Sequence, residues 1–273
     1  MKTGGRLSKM VVTATTPVTY ELPLGNEKVP LNPFLGKTLK LTFTHKITCM
    51  GCDRPIKKSY QDGYCFPCTQ TLARSDLCIL KPERCHFHLG TCREPEWGLT
   101  HCMIPHVVYL ANTSGIKVGI TRQNQLPIRW LDQGAVAALP LLIVPTRRIS
   151  GLVECVIGKY ISDKTNWRQM LMGQEEVVDL IQHANDLQQK LQTDLADIYN
   201  EFGKNAVQLN EPLSITRFTY PVLSFPQKIT SLSFDKTPEI EGTLLGIKGQ
   251  YLMFDQGVIN IRRHSGYEVE ISS

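Results

Sequence analysis

Eight of the chain's nine cysteines fall between Cys49 and Cys102, and their spacing constrains the fold more than any other feature. In "CMGCDRPIKKSYQDGYCFPC", Cys49 and Cys52 form one C-x-x-C pair, and Cys65 and Cys68 form another. Each pair fits a tight turn that points both sulfurs the same way. Two such turns supply the four thiolates of a tetrahedral zinc site. Four free thiols, two disulfides and iron–sulfur ligation are the competing readings. The second group, "CILKPERCHFHLGTCREPEWGLTHC", spaces Cys78, Cys85, Cys92 and Cys102 more widely and interleaves His86, His88 and His101. The four cysteines are the expected ligands of a second Zn²⁺, because thiolates hold zinc more tightly than imidazoles. Buried thiols in a small core are the alternative. Full cysteine coordination leaves no position for water, so one or two structural zinc ions are expected. The segment has few long apolar runs, and the metal is expected to replace a hydrophobic core there. Cys155 stands apart, inside a helical pattern, and reads as a core residue.

The location of the protein bears on this reading. Met1–Thr16 carries basic residues without the apolar run of a secretory signal. The longest apolar stretch, "GAVAALPLLIV", contains a proline and is too short to span a bilayer. A soluble, cytoplasmic protein with no membrane partner is expected. In that compartment clustered cysteines are more often metal ligands than disulfides. A hydrophobic content of 42% with 20% charged residues argues for a globular chain, and 273 residues suffice for one large domain or two to three small ones. The net charge of +5 permits contact with nucleic acid.

Periodicity organises the remainder. Residues up to about Asn32 are rich in Thr, Pro and Gly and are expected to wrap the surface. "KTLKLTF" alternates, with Leu39, Leu41 and Phe43 on one face, and predicts a strand leading into the cysteine region. Val107–Asn112 and Ile116–Thr121, separated by Thr-Ser-Gly, predict a hairpin. "IRWLDQGAVAA" reads as a short helix and "LPLLIVPT" as a buried strand. In "ISGLVECVIGKYISD" the apolar residues from Ile149 to Ile161 follow helical spacing, with Glu154 off the stripe. Gln174 to Phe202 reads as one long amphipathic helix with Gly203 as its stop. "GQYLMFDQGVINIRRHSGYEVEI" predicts a three-stranded meander.

The expected class is therefore α+β. Residues 1–48 form an extended or β segment, and 49–104 a zinc-binding region. Residues 105–173 form a small α/β module, 174–205 the long helix, and 206–273 a β-rich segment.

The order strand, strand, helix, strand, helix from Val107 to Asp163 resembles the GIY-YIG nuclease superfamily. Val108-Tyr109 matches the first motif, and "KVG" (Lys117–Gly119) stands where the second belongs. Arg129 falls on the following helix. "ECVIGKYISDKTN" matches the glutamate-to-asparagine stretch from Glu154 to Asn166. The resemblance covers about a fifth of the chain. It implies a phosphodiester-cleaving site built from Tyr109, Lys117, Arg129, Glu154 and Asn166, with Mg²⁺ or Mn²⁺ on Glu154. It departs at Lys117, where the family has a tyrosine that serves as general base. A lysine serves as base only where burial or nearby cations lower its pKa. The whole chain also resembles a bacterial family known as domain of unknown function number 2797, through the cysteines, "RWLDQGA" and "GIKGQYL". That second resemblance implies no activity.

Basic residues add to the nucleic-acid reading. Arg122, Arg147, Arg148, Lys159 and Arg168 lie within the module, together with Arg129 and Lys164, and Trp130 and Trp167 are interleaved for stacking on bases. Arg262, Arg263 and His264 form a second patch. The plainer reading makes Tyr109 a strand residue, Lys117 and the other charges surface groups, and the tryptophans core. The chain is accordingly expected to be a divalent-metal nuclease on DNA or RNA, a non-catalytic zinc-stapled nucleic-acid-binding protein, or a protein-interaction scaffold using the long helix.

Overall fold

The computed structural model describes residues 2–273. Its strands are β1 (Lys2–Arg6), β2 (Val11–Thr13), β3 (Thr19–Leu24), β4 (Glu27–Pro30), β5 (Thr38–Thr48), β6 (Pro55–Ile56), β7 (His106–Asn112), β8 (Ile116–Arg122), β9 (Ala137–Val144), β10 (Gln208–Leu209), β11 (Thr216–Arg217), β12 (Ser231–Leu232), β13 (Glu239–Lys248), β14 (Tyr251–Phe254), β15 (Gly257–Asn260) and β16 (Tyr267–Ser272). The helices are α1 (Phe66–Thr71), α2 (Leu77–Leu80), α3 (Pro95–His101), α4 (Ile128–Asp132), α5 (Arg147–Ile157), α6 (Trp167–Leu171), α7 (Leu180–Asp194) and α8 (Ala196–Phe202). The fold is α+β, and no helix among the described residues is long and apolar enough to cross a membrane.

The first thirty residues do not wrap the surface. They form β1 to β4, and Leu7, Met10, Val12, Tyr20, Leu22, Leu24 and Val29 are all buried. Composition hid this, because the runs are short and broken by Pro and Gly. β5 alternates as its sequence predicts, burying Leu39, Leu41, Phe43 and Ile47. The C-terminal meander is also rearranged. β13, β14 and β15 are consecutive antiparallel neighbours, but β16 leaves them and inserts between β1 and β5. The two ends of the chain thus close one mixed sheet in the order β1-β16-β5-β13-β14-β15-β12, with only β12 and β15 parallel.

The second sheet carries β8-β7-β9, with β10 and β11 on the far side of β9. β7 is central and buried along its whole length. Its period of two sends Val108 and Leu110 into a core beneath α5, α7 and α8, and Val107, Tyr109 and Ala111 into a smaller core with Trp130. α4 is shorter than expected. Gly134, at φ +71°, turns the chain out of the helix so that Ala137 can pair with Asn112. α5 buries Ile149, Val153 and Ile157 at i, i+4, i+8, and the Thr146 hydroxyl caps it by accepting from the Ile149 N–H (3.4 Å).

The long helix begins at Leu180 rather than Gln174, where Asp179 accepts from the N–H groups of Ile181 and Gln182 (3.0 and 3.1 Å). It breaks at Leu195, which lies at ψ 3°, so α7 and α8 are separate. Leu180, Ala184, Leu187, Leu191, Leu195 and Ile198 fill the core under α5, which uses up the apolar face that a scaffold would offer.

Candidate metal centres and the basic cavity

β5 delivers Cys49 to a tight turn in which its carbonyl accepts from the Asp53 N–H (3.0 Å). Cys65 stands at the N-cap of α1, and Cys68 lies inside that helix. All four sulfurs of Cys49, Cys52, Cys65 and Cys68 lie within 4.8 Å of one another, and Cys52 and Cys65 are 3.8 Å apart. Four sulfurs each about 2.3 Å from one ion would be about 3.8 Å apart, so the donor set fits a closed Zn²⁺ site. Burial pushes the Cys49 thiol up, but N–H groups of Cys65, Gly51 and Cys52 outweigh it and hold it at about 6. Burial and the three other thiols push Cys68 up to about 12. Thiols this crowded cannot all ionise without a cation among them.

The second group is built on a different plan. Cys78, Cys85 and Cys102 are buried against Phe87 and Trp97. Together with Cys92 they line one cavity of about 10 Å³, but their four sulfurs do not gather within 4.8 Å of one another as those of the first group do. Hydrogen bonds from Cys102 and Cys78 hold the Cys85 thiol well below its ordinary range, and push those two up. Asp76, Cys78 and His86 also approach within 4.8 Å, but Asp76 is paired with Arg93 (2.7 Å) and caps α2. His86 Nδ1 is engaged by Thr91 (2.7 Å), His101 stacks on Trp97, and His88 is exposed. Cys155 is exposed, not a core residue, because its position in α5 falls off the buried i, i+4 stripe.

This second knuckle forms a wall of the cavity beside the hairpin. The Arg147 N–H donates to the Cys102 carbonyl (2.8 Å), and its guanidinium donates to the Cys78 and Ile79 carbonyls (3.2 and 2.9 Å). Gly151 of α5 lies so close to the knuckle that a Cβ there would sit 2.2 Å from the Glu83 nitrogen. The cavity has a volume of about 550 Å³ and takes in Lys117, Arg122, Arg129, Arg147 and Glu154 from the sequence-derived set. It also takes in Arg262 of the second basic patch, and residues that the sequence did not single out: Lys9, His106, Asp132, Gln133 and Asp163. Six Lys and Arg side chains face three carboxylates there, a net positive lining.

The electrostatics of its floor follow from burial. Lys117 is not a surface residue but is only 6% exposed, its Nζ donating to Thr165 Oγ1 (3.3 Å). Burial, and then Arg129, bring its pKa down to about 8. Burial, and then Asp163, raise Glu154 to about 7, against the pull of Lys117 and Arg129. Tyr109 is fully buried below Gly119 and donates its hydroxyl to Gln133 Oε1 (2.9 Å). Burial raises its pKa, so it is a neutral phenol. His106 is fully buried. With Nδ1–H donating to the Ile104 carbonyl (2.7 Å), Nε2 is left an unpartnered acceptor, and burial lowers its pKa to about 4.

Other expected site residues lie elsewhere. Asn166 is exposed and caps α6 through Oδ1, which accepts from the Gln169 N–H (3.4 Å), so its side chain serves the helix and not the cavity. Trp130 is buried between Tyr109 and Phe218 and offers no face for a base. Arg148 pairs with Glu201 (2.8 Å) and lies over Phe202, because helical spacing turns it away from Arg147. Lys159 is exposed beyond α5, and Arg168 stacks on Trp167, both outside the cavity lining. Lys9 and Arg262 reach the cavity from opposite ends of the chain, which no local sequence signal could announce. Asp163 and His106 lie in segments that the sequence marked, without a pattern to single them out.

"RWLDQGA" and "GIKGQYL" meet in space. Gln250 Nε2 donates to Asp132 Oδ1 (2.9 Å) and to the Met10 carbonyl (3.2 Å), and Gln250 Oε1 accepts from the Met10 N–H (2.7 Å). Lys248 is buried in an ion pair with Glu175 and donates to the Met170 carbonyl (3.0 Å). No curated protein and no solved structure matches the chain. The sequence matches the family described as Protein of unknown function (DUF2797) over residues 36–269, most of its length, and the chain belongs to that family.

Proposed function

We propose that the protein is a zinc-stabilised, divalent-metal-dependent phosphodiesterase acting on nucleic acid at the basic cavity. The observation that carries this reading is the shared cavity of Lys117, Arg129 and Glu154, three residues 12 to 37 positions apart in the chain. Zinc at the two cysteine groups fixes the knuckles. The second knuckle, through Arg147, fixes the cavity wall.

The roles follow from the chemistry of each group. Arg129 sits on a half-buried helix face and supplies a fixed positive charge to the phosphate as negative charge develops on it. Lys117, neutral in part near pH 8, accepts the proton of the attacking water. Tyr109 does not take this role, since it is a buried phenol committed to Gln133; it positions Gln133 at the cavity edge. Glu154 and Asp163 are oxygen donors whose mutual repulsion a hard cation relieves, which suits Mg²⁺ or Mn²⁺. When bound, that cation supplies Lewis-acid stabilisation of the leaving oxygen.

The test is cleavage of labelled DNA and RNA with Mg²⁺ or Mn²⁺. Glu154→Ala should lower the rate by about 10²-fold or more while leaving metal-free binding unchanged or tighter. Arg129→Ala should weaken binding to every sequence alike and reduce the salt slope by about one unit on duplex. A second reading, a non-catalytic nucleic-acid-binding protein, is favoured by the lysine at position 117. It stands if the wild type binds and cleaves nothing in either metal. No binding at low salt sinks both.

A further inference from the structure

Arg262 lines three adjoining cavities at once. On one side it lines the cavity of Lys117 and Glu154; on the other it lines a larger one, about 790 Å³, between the first cysteine knuckle and the C-terminal sheet. A third space of about 260 Å³ joins them, sharing Lys9 and Arg262 with the first and Asp62 and Arg262 with the second. The three form one trough.

The far end of the trough differs from the near end in chemistry. Its carboxylates are already engaged. Asp62 accepts two hydrogen bonds from the Arg262 guanidinium (2.9 and 2.8 Å), and Asp235 accepts from Tyr267 and Ser233 (2.7 and 3.2 Å). Lys236 and Arg263 are exposed and form no ion pair among the described residues. Between them stand aromatic faces. Trp167 lies parallel to Tyr251 with centroids 5.7 Å apart, and Arg168 sits 4.5 Å from the Trp167 ring. Tyr60, from the knuckle, is 41% exposed, with Lys58 5.3 Å from its ring. Trp167 is thus already covered by Tyr251 and Arg168, and Tyr60 is the exposed ring. Cations that are free to pair and an exposed aromatic ring, set along a trough, match a polymer of alternating phosphates and flat rings.

We propose that the trough is the path of a single polynucleotide strand, running from the Lys117 cavity past Arg262 to a base stacked at Tyr60. The proposal rests on the nucleic-acid reading above. A duplex does not fit it, because paired and stacked bases present no free face to Tyr60.

The experiment is fluorescence anisotropy with the zinc-replete full chain and no added Mg²⁺ or Mn²⁺. The probes are 12-nucleotide single strands of DNA and of RNA and a 12-base-pair duplex; the two single strands separate the sugars. The variants are Lys236→Ala/Arg263→Ala and Tyr60→Ala, all at exposed positions whose loss leaves the core intact. The double variant should bind a single strand at least fivefold more weakly, and its salt slope should fall by about 1.4, from two contacts at about 0.7 each. Tyr60→Ala should weaken binding about tenfold with an unchanged salt slope. Wild-type affinity in both variants, or tighter binding of the duplex than of either strand, overturns the trough. If distal variants bind normally while Arg129→Ala does not, the trough fails and the cavity reading stands. If the wild type binds no probe, both fail.

Discussion

Tyr109 and Gly119 face each other across adjacent strands of the hairpin, and a Cβ at position 119 would lie 2.6 Å from the Tyr109 hydroxyl oxygen. The glycine is the space into which the phenol fits. Gly119→Ala should therefore force Tyr109 off its bond to Gln133 and destabilise the chain by about 1–3 kcal/mol, as overpacking does. Tyr109→Phe, which removes only the hydroxyl, should cost about 1 kcal/mol. Denaturant unfolding of the two variants and their double mutant checks this. Simple additivity would show that the two residues do not share the space.

Metal content separates the two knuckles. Wild-type protein should carry two zinc ions per chain. Cys65→Ser should lose one, and Cys85→Ser the other. Because Arg147 ties the second knuckle to the cavity wall, Cys85→Ser should also impair nucleic-acid binding, whereas removal of Arg147 alone should spare the zinc. Elemental analysis of purified variants decides. Full zinc retention by Cys65→Ser would sink the first site, and a wild-type stoichiometry of one would remove the second.

Cleavage should depend on pH through two groups. Below about 7, Glu154 holds a proton that metal must displace, so apparent Mn²⁺ affinity should fall as pH drops. Above that, the rate at saturating metal should rise through about 8 and level off as Lys117 loses its proton. Lys117→Met should lower the rate by about 10²-fold or more and abolish the upper limb. A profile with the same upper limb in that variant would exclude Lys117 as the base.

His106 makes stability depend on pH. Its folded pKa, about 4, lies below the ordinary 6.5, so between those values the unfolded chain binds a proton that the folded chain does not. The contribution is fully present above about 6.5 and is lost as pH falls toward 4, up to about 3 kcal/mol. Thermal melts of His106→Gln against wild type from pH 7 to 4.5 should show a shallower acid decline in the variant. Parallel curves would refute this.

Local chemistry determined much of the protein from sequence alone. The paired C-x-x-C spacing needs only two tight turns to gather four sulfurs, and they gather. The alternation in β5 and the i, i+4 stripe of α5 are properties of a strand or helix by itself, and they survive folding. Long-range packing decided the rest. The N-terminal strands have no sustained pattern; β2, β3 and β4 form a small sheet of their own and become core by packing on residues of β5 and the C-terminal strands. Sequence could put Tyr109, Lys117, Arg129 and Glu154 in order. It could not say that Lys117 is buried, that Asn166 caps a helix, or that Trp130 is core. Nor could it bring Lys9 and Arg262 to the same cavity. Burial and charge at a site depend on neighbours distant in the chain, and only the packing of the two sheets and the cysteine region brings those neighbours together.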